Sequence, residues 1–362
     1  MAVKTTVKRI LSDYPRLYSR TARLYRGLKQ SGEFWGRKVN GSAGSSERKS
    51  ETSNTPGFVG EAPIGVDVPP AHPKIITSLD ELDAQLLLAD EAGKQSDDAL
   101  RQALASFEFR LDSAGKLDPY SEAYRQQQYE IYLRISNMTS YSPTNERSEF
   151  LGDPEQTARQ PFPYYTRSPQ TVGDQLMMLG FIMKTMNLPS GSSILEFGPG
   201  WGNTTINLAR MGYEVTAVDI EPKFLEIIQA RAKLLGLSVK TVCANFGPVC
   251  DDQAATNTYD AVLFFESFHH CSDHLKLIRE LPTMLKPGGK VVFASEPITD
   301  IFPLPWGVRL DGMSVWSIRR FKWLELGFKE SYFRDTMARF GWSVKKHVCA
   351  DTPIGVIFVT TR

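Results

Sequence analysis

Three alternating glycines are the clearest sign of chemistry in the sequence. The apolar run Ile194–Phe197 leads directly into Gly198, Gly200 and Gly202. Glycine tolerates positive φ and lets a ligand approach bare main chain, so this spacing predicts a strand, a tight loop and then a helix. Glu196, two residues before the first glycine, offers a carboxylate to a cationic or hydroxylated ligand. Ordinary turns also use this pattern, so a cofactor loop needs support from other residues.

That support comes from a second apolar run, Glu214–Val218, which ends in Asp219 about twenty residues beyond the loop. In βαβ folds a carboxylate at this position accepts hydrogen bonds from a ribose. The alternative is that Asp219 only caps the next helix, which is expected to start at Glu221. Asn203 and Thr204 are likewise expected to cap the helix that follows the glycine loop.

A cluster of side chains suited to proton transfer follows the apolar run YDAVLFF. Glu266, His269 and His270 come directly after it. Because histidine titrates near neutral pH, either histidine could act as a general base, with Glu266 as orienting group or base. The alternative is that these residues only hold a loop. Metal ligation together with Cys271 and His274 is a further alternative, but sequence neighbours rarely converge on one ion, so no metal is expected.

Four successive segments resemble the signatures of class I S-adenosylmethionine-dependent methyltransferases. They are LEFGPGWGN, AVDIEP, YDAVLFFESFHH and LKPGGKVVF, and the resemblance extends over Thr171–Thr361. It implies a Rossmann-like, mostly parallel seven-stranded sheet with helices on both faces. It also implies S-adenosylmethionine as cofactor and methyl transfer to oxygen or nitrogen of a small-molecule or glycan acceptor.

The resemblance further implies which residues hold the cofactor. These are Glu196, Gly198, Pro199, Gly200, Gly202, Asn203, Asp219, Ile220, Asn245 and Phe246. Asp219 would accept the ribose hydroxyls, and Ile220 and Phe246 would flank the adenine. Asn245 would meet the adenine amine through its amide oxygen, at a position where the family often has Asp. His269, His270 and Glu266 would face the acceptor.

Alternating apolar runs and helical periodicities predict the elements of this domain. Parallel strands are expected near 193–197, 214–219, 239–244, 259–265 and 289–295, with a closing pair at 344–348 and 354–360. Helices are expected near 203–211, 222–235 and 272–285. Between the last parallel strand and the closing pair lies an aromatic insert, Pro297–Phe333. We expect it either to stack on a sugar or hold an anionic group, or to pack as a lid on its own core. The side chains available for binding are Trp306, Trp316, Trp323, Arg309, Arg319, Arg320 and Asp311.

The remaining chain divides into three predicted segments: a basic amphipathic helical tail at 1–39, a flexible linker at 40–73 and a helical accessory region at 74–160, ahead of the methyltransferase domain at 161–362. Within the accessory region helices are expected near 98–111 and 121–135. The linker is rich in Ser, Gly and Pro and too poor in apolar residues to order itself. The accessory region could shape a substrate mouth or simply pack on the domain.

Charge is unevenly distributed over the 362 residues, whose net charge is only +1. Residues 1–50 hold 12 Lys or Arg against 3 Asp or Glu, and the remainder hold 30 against 38. The small net charge argues against nucleic-acid binding as the main role. The basic tail could contact an anionic membrane or a protein partner, dock on its own chain, or serve as a mitochondrial presequence, which its acidic residues make less attractive.

The sequence predicts a cytoplasmic location, peripheral to the inner face of the membrane if the tail binds there. No signal-peptide-like run or long apolar stretch occurs. The four cysteines show no C-x-x-C spacing, and Cys243 and Cys349 are expected in core strands, as buried free thiols of a reducing compartment.

Two other functions fit the same elements. A nicotinamide-dependent oxidoreductase would bind its cofactor with the same βαβ unit. Its loop has a G-x-G-x-x-G spacing, however, and the third glycine here comes one residue early. A non-catalytic module that binds S-adenosylmethionine without turnover would keep every cofactor residue.

Overall fold

A computed structural model describes residues 73–111, 117–148, 150, 152–160, 169–249 and 258–362. The predicted tail, all but the last residue of the predicted linker, and Cys250 lie outside these residues. No helix in the described ranges is long and apolar enough to cross a membrane.

The elements follow in chain order, with strands and helices numbered separately. The strands are β1 Lys74–Ile76, β2 Phe107–Phe109, β3 Ser193–Phe197, β4 Glu214–Asp219, β5 Lys240–Cys243, β6 Tyr259–Phe265, β7 Leu285–Ala294, β8 Trp306–Val308, β9 Leu326–Phe328, β10 Ser343–Val348 and β11 Val356–Thr361. The helices are α1 Leu79–Gly93, α2 Asp97–Ala105, α3 Glu122–Ser136, α4 Pro154–Ala158, α5 Pro169–Met186, α6 Asn203–Arg210, α7 Pro222–Leu234, α8 His274–Met284, α9 Gly312–Phe321 and α10 Glu330–Arg339. Short 3₁₀ turns cover Pro143–Glu146 and Phe268–His270.

Seven strands form the central sheet, in the order β10-β11-β7-β6-β3-β4-β5. The five strands from β7 to β5 pair in parallel, and β11 pairs antiparallel with both β7 and β10. The predicted fold class and the closing antiparallel pair are therefore confirmed. The chain places β4 and β5 on one side of β3 and then β6 and β7 on the other, so the strand order changes direction between β3 and β6. Open α/β sheets bind their ligands at such a point.

Both faces of the sheet are covered, because alternate residues of the inner strands enter different apolar clusters. Ile194 of β3 and Leu263 of β6 pack with α5, whereas Leu195 and Phe264 face the larger cluster that includes α8. A strand buried on both faces reads as a continuous apolar run, which is why these strands were predictable. Their shared carboxyl edge carries the site.

The region before the sheet is not purely helical. The helix expected near 98–111 ends at Ala105, because Phe107–Phe109 forms a strand parallel to Lys74–Ile76. Both phenylalanines of that strand are buried, with 2% of Phe107 and 0% of Phe109 exposed. A three-residue run is too short to show alternation in the sequence, so tertiary burial decided its conformation.

The environment expected from the sequence is wrong for both Cys243 and Cys349. Cys243 is exposed, because β5 is the last strand on its side of the sheet. Cys349 lies just past the end of β10 and is only partly buried, whereas Cys271 is buried. Membership of a strand did not determine burial, since edge strands face solvent on one side.

Candidate active site

The glycine loop follows directly after β3, at the carboxyl end of the strand. Gly198, Gly200 and Gly202 have φ of 63°, 53° and 77°, in the left-handed region that glycine tolerates. A Cβ on Gly198 would lie 2.7 Å from Cβ of Ser267, and one on Gly202 would lie 2.4 Å from Cγ1 of Ile228. Glycine is therefore required at both positions by conformation and by space.

The helix after the loop starts differently from the expectation. It begins at Asn203, its N-cap is Gly202 in a left-handed conformation, and no side chain caps it. The predicted caps Asn203 and Thr204 are thus wrong, because both residues already belong to the helix. The first backbone N–H groups of α6 have no side-chain acceptor and are available to a ligand beside the loop.

A buried arginine that the sequence did not point to holds this loop from behind. Arg231 on α7 donates to the carbonyl of Trp201 over 2.8 Å and to Oδ1 of Asn203 over 3.0 Å. Burial lowers the pKa of Arg231 to about 10. Nδ2 of Asn203 is buried without a partner among the described residues, so a donor beside the loop awaits an acceptor. The sequence feature that could have indicated this role is the place of Arg231 among the apolar residues on the buried face of α7.

Asp219 lies at the end of β4 against the loop. Its carboxylate accepts from the backbone N–H of Gly200 over 3.2 Å and of Glu221 over 2.9 Å, one on each oxygen. Each oxygen keeps a free lone pair for a ligand hydroxyl, and burial raises the pKa of Asp219 to about 6. The N-cap of α7 is Glu221, which accepts from Lys223 N, so capping is not the role of Asp219.

The other predicted cofactor residues are distributed around this centre. Glu196 is 2% exposed and accepts from Thr205 Oγ1 over 2.6 Å, and burial raises its pKa to about 7. This hydrogen bond ties β3 to the first turn of α6. Direct contact between Glu196 and a ligand stays a prediction. Ile220 is half-buried and Asn245 is exposed, at the ends of β4 and β5. Phe246 packs on Phe197 with ring centroids 5.6 Å apart and is partly buried.

The acceptor side of the site is joined to the loop by Ser267. Its Oγ donates to the carbonyl of Phe197 over 2.8 Å, at the point where the glycine loop begins. The 3₁₀ turn Phe268–His270 follows immediately. The carboxyl ends of β3 and β6 are therefore in direct contact, as parallel neighbours of the sheet require.

This turn is organised by Glu296, which the sequence reading did not single out. Its carboxylate accepts from the backbone N–H groups of Ser267 (2.8 Å), Phe268 (2.8 Å) and His269 (3.1 Å), and it contacts Nδ1 of His269 at 2.8 Å. Burial alone would raise the pKa of Glu296, but His269 and the three N–H groups outweigh it and hold the pKa below its ordinary value. No local pattern in the sequence marks a residue 27 positions from its partner.

The two predicted histidines differ in their surroundings. Nε2 of His269 lies 3.5 Å from Oε2 of Glu325, which in turn lies 3.7 Å from Nη1 of Arg309. Nδ1 of His270 lies 3.0 Å from the carbonyl of Leu324 and 3.4 Å from Oε2 of Glu146.

Burial would lower the pKa of His270, but the hydrogen bond to Glu146 and the other nearby carboxylates raise it to about 9. In the ligand-free site this imidazole is therefore protonated at neutral pH, and it is a poor proton acceptor.

Glu266 is the accessible carboxylate of the group. Its φ of 51° is left-handed, a conformation that a residue with a Cβ adopts at some cost and that often marks a functional position. The residue is exposed to solvent. Desolvation of its carboxylate by the surrounding protein, together with the charges of Glu296 and Glu325, raises the pKa of Glu266 to about 7.

His274 and Cys271, which the sequence offered as further metal ligands, have other contacts. Nε2 of His274 lies 3.0 Å from the hydroxyl of Tyr332, and its ring packs on Trp306 and Phe328. Burial lowers the pKa of His274 to about 3. Cys271 is buried in the same core cluster as Trp306 and Phe328. His274 and Cys271 therefore do not lie with His269 and His270 as a set of metal ligands. The carboxylate that does approach His269 is that of Glu325, which is distant in the sequence.

The aromatic insert packs largely on the accessory region. Arg319 donates to both carboxylate oxygens of Asp83 on α1, at 2.9 and 2.6 Å, and Arg320 pairs with Asp90. Nε1 of Trp316 donates to Asp90 over 2.9 Å. These three side chains were expected either to bind a ligand or to pack, and the structure has them packing.

A sheet of this order, with a glycine loop after its first parallel strand and a carboxylate after its second, defines the Rossmann-like fold of class I S-adenosylmethionine-dependent methyltransferases. The family profile described as "Methyltransferase domain" matches residues 195–293. This match agrees with the resemblance to class I S-adenosylmethionine-dependent methyltransferases and favours that interpretation over the oxidoreductase alternative.

Similar proteins share this segment. The chain is 30% identical over 107 residues to a ubiquinone biosynthesis O-methyltransferase of Xanthomonas axonopodis pv. citri, covering 30% of this chain and 44% of the relative. It is 31% identical over 121 residues to the Vibrio parahaemolyticus protein of the same name, covering 33% and 50%. The chain thus spans about half the length of the curated relatives it matches.

Among solved structures, an S-adenosylmethionine-dependent methyltransferase from Mesorhizobium loti aligns with a TM-score of 0.40 and 18% identity. The alignment covers 51% of this chain and 98% of that one.

Proposed function

We propose that this protein transfers the methyl group of S-adenosylmethionine to a hydroxyl oxygen of a small-molecule or glycan acceptor. The observation that carries the proposal is the contact between the two halves of the site through Ser267. Its hydrogen bond to Phe197 joins the loop suited to a cofactor to the segment that carries the exposed Glu266, at one edge of the sheet.

The residues of the loop fit the cofactor. Gly198, Gly200 and Gly202 offer bare main chain, the start of α6 offers uncapped N–H groups, and Nδ2 of Asn203 offers an unpaired donor. The carboxylate of Asp219 keeps two lone pairs for the ribose hydroxyls. When bound, the cofactor supplies an electrophilic methyl carbon, whose bond to sulfur breaks as its bond to the acceptor oxygen forms.

Glu266 is our candidate for the base that takes the hydroxyl proton. It is exposed to solvent, and a pKa of about 7 suits a base that works near neutral pH. His269 fits this role less well, because both of its ring nitrogens face carboxylates. His270 fits it no better, because its raised pKa makes the imidazole a poor proton acceptor. Alignment of the two reactants within the site would supply much of the rate enhancement.

The acceptor is proposed to be hydroxylated. The two curated relatives described above are named O-methyltransferases. Carboxylates on the acceptor side, among them Glu266 and Glu325, can accept hydrogen bonds from several hydroxyl groups. Trp323, whose ring lies 5.9 Å from that of His270, offers an aromatic surface of the kind that stacks on a sugar ring.

The test is transfer of a labelled methyl group from S-adenosylmethionine to a panel of sugars, phenols and envelope precursors. We expect transfer to a hydroxylated acceptor, and an E266Q variant with kcat lower by about 10²- to 10⁴-fold. Calorimetry with S-adenosylhomocysteine should give the same affinity for E266Q and the wild type, and a weaker one for D219N. Tight cofactor binding without transfer to any acceptor, in the panel or in a cell extract, would support the non-catalytic alternative instead.

We also propose the segment boundaries 1–39, 40–73, 74–160 and 161–362, with membrane contact through the first of them. Its excess of Lys and Arg is the support for that contact. Flotation of the full chain with anionic and neutral vesicles, beside a chain lacking residues 1–39, tests this proposal. Equal recovery of both chains with anionic vesicles would remove it.

A further inference from the structure

Two histidines and a glutamate on the acceptor side point their ligand atoms at one small volume. Among the described residues, one ligand atom from each of His269, His270 and Glu325 lies within 4.8 Å of the other two. His269 and Glu325 are buried and His270 is partly buried. Ligands of a single transition-metal ion lie about 3 to 4 Å apart, given metal–ligand distances near 2.0–2.2 Å. Small side-chain rotations would therefore close the set around an ion.

The second observation concerns the outer nitrogen of each imidazole. Nδ1 of His269 is held at 2.8 Å by the buried carboxylate of Glu296, and Nδ1 of His270 is held at 3.0 Å by the carbonyl of Leu324. Metal-binding histidines characteristically give one ring nitrogen to a carboxylate or a backbone carbonyl, which fixes the ring and directs the other nitrogen at the ion. Both histidines show this arrangement independently.

The Nε2 atoms of both histidines are placed as metal ligation would require. Nε2 of His269 faces Oε2 of Glu325 at 3.5 Å, too far for a good hydrogen bond and at a spacing that an ion would bridge. Nε2 of His270 hydrogen-bonds to none of the described residues. Glu325 reaches the same point from the loop between α9 and β9, so the set is built from two separate parts of the chain.

The charge of the surroundings favours a cation. Four carboxylates, those of Glu146, Glu266, Glu296 and Glu325, lie within this cluster or interact with it. The guanidinium nearest to them, that of Arg309, is 3.7 Å from Glu325 and is shared with Asp311. Buried carboxylates in excess are costly unless they are paired or bind a metal.

We propose that His269, His270 and Glu325 bind one divalent transition-metal ion beside the methyl-transfer position. Two imidazoles and one carboxylate suit ions such as Zn²⁺, Mn²⁺ or Fe²⁺, whereas Mg²⁺ and Ca²⁺ prefer oxygen ligands only. Three protein ligands leave open coordination positions, as catalytic sites do. The part of the inference that concerns the acceptor depends on the proposed function: the open positions select acceptors with two adjacent oxygens, one of which receives the methyl group.

The test uses the full chain with any affinity tag removed and with bound metal stripped by a chelator. Calorimetric titration with Zn²⁺ gives the stoichiometry, and Co²⁺ gives visible absorption bands that report nitrogen and oxygen ligation. We expect one ion per chain, and an affinity 10- to 100-fold or more weaker in H269Q and E325Q. H347Q, which changes a partly exposed histidine on β10 outside the cluster, is the matched control and should bind as the wild type does.

Two measurements separate the outcomes. Thermal unfolding and S-adenosylhomocysteine calorimetry on each variant show whether the fold and the cofactor loop are intact. Failure of the wild type to bind Zn²⁺, Mn²⁺, Fe²⁺ or Co²⁺, or equal affinity in H269Q and E325Q when both are folded, would overturn the inference. Metal binding by a protein that transfers no methyl group would leave the metal site standing and remove the proposed function.

Discussion

Replacement of Glu296 by glutamine should damage the acceptor side of the site and the stability of the protein together. The carboxylate receives four N–H groups, two on each oxygen, from Ser267, Phe268 and His269. A glutamine offers one accepting oxygen and one NH₂ group, so two of the four donors would face another donor. The 3₁₀ turn that carries the histidines would then lose half of its anchoring.

The magnitude follows from the bonds that are lost. A hydrogen bond to a charged acceptor contributes about 1.5–3 kcal/mol, so loss of two costs about 3–6 kcal/mol. Removal of a charge near Glu266 and Glu325 offsets part of this cost, because like charges repel. We expect E296Q to lower the free energy of unfolding by about 3 kcal/mol.

Urea unfolding followed by tryptophan fluorescence measures this difference, and an unchanged slope with denaturant supports the comparison. The matched control is E226Q, the same chemical change at a residue whose side chain is 51% exposed and paired only with Lys223. We expect less than about 0.5 kcal/mol there. An E296Q protein within about 1 kcal/mol of the wild type would show that the carboxylate does not hold the turn.

Three other perturbations test separate parts of the structure. G198A places a methyl group at φ 63° against Ser267, so S-adenosylhomocysteine should bind at least tenfold more weakly in calorimetry, and unaltered affinity would contradict the geometry of the loop. R319A breaks the ion pair with Asp83, in which the arginine side chain is 13% exposed, so the free energy of unfolding should fall by about 1–3 kcal/mol. Cofactor affinity should not change, and a loss of affinity would show that Arg319 contributes to the binding site. Burial acts to raise the pKa of Glu330, but its two cationic neighbours lower it below the ordinary 4.5, so its contribution to stability is present above that value and is lost as pH falls through the lowered pKa. The difference in unfolding free energy between wild type and E330Q should therefore shrink in acid, and a difference that is constant with pH would contradict the pairing.

The local part of the site could be read from the sequence because its determinants are close along the chain. Gly198, Gly200 and Gly202 mark a loop that needs positive φ, and continuous apolar runs mark strands buried on two faces. The position of Asp219 followed from the βαβ order. The start of α6 was placed wrongly, because a left-handed Gly202 serves as N-cap where a capping side chain was expected.

The partners of the histidines could not be found in this way. Glu296, Glu325 and Glu146 reach His269 and His270 from elements 27 or more residues away, and none of the three lies in a motif. Arg231 likewise meets the glycine loop across 28 residues. An isolated Glu or Arg in a sequence is most often a solvated surface residue, so only its burial and its partners reveal a role.

The sequence by itself therefore determined the strands of the central sheet and the glycine loop, since each depends on short-range periodicity and backbone conformation. The class of cofactor was implied by the resemblance to a known family. The tertiary structure alone decided that Arg319 and Arg320 pack on α1 rather than bind a ligand. It also decided that nearby carboxylates raise the pKa of His270 and that one buried carboxylate, Glu296, holds the 3₁₀ turn. These properties depend on desolvation and on distances between residues that meet only when the chain has folded.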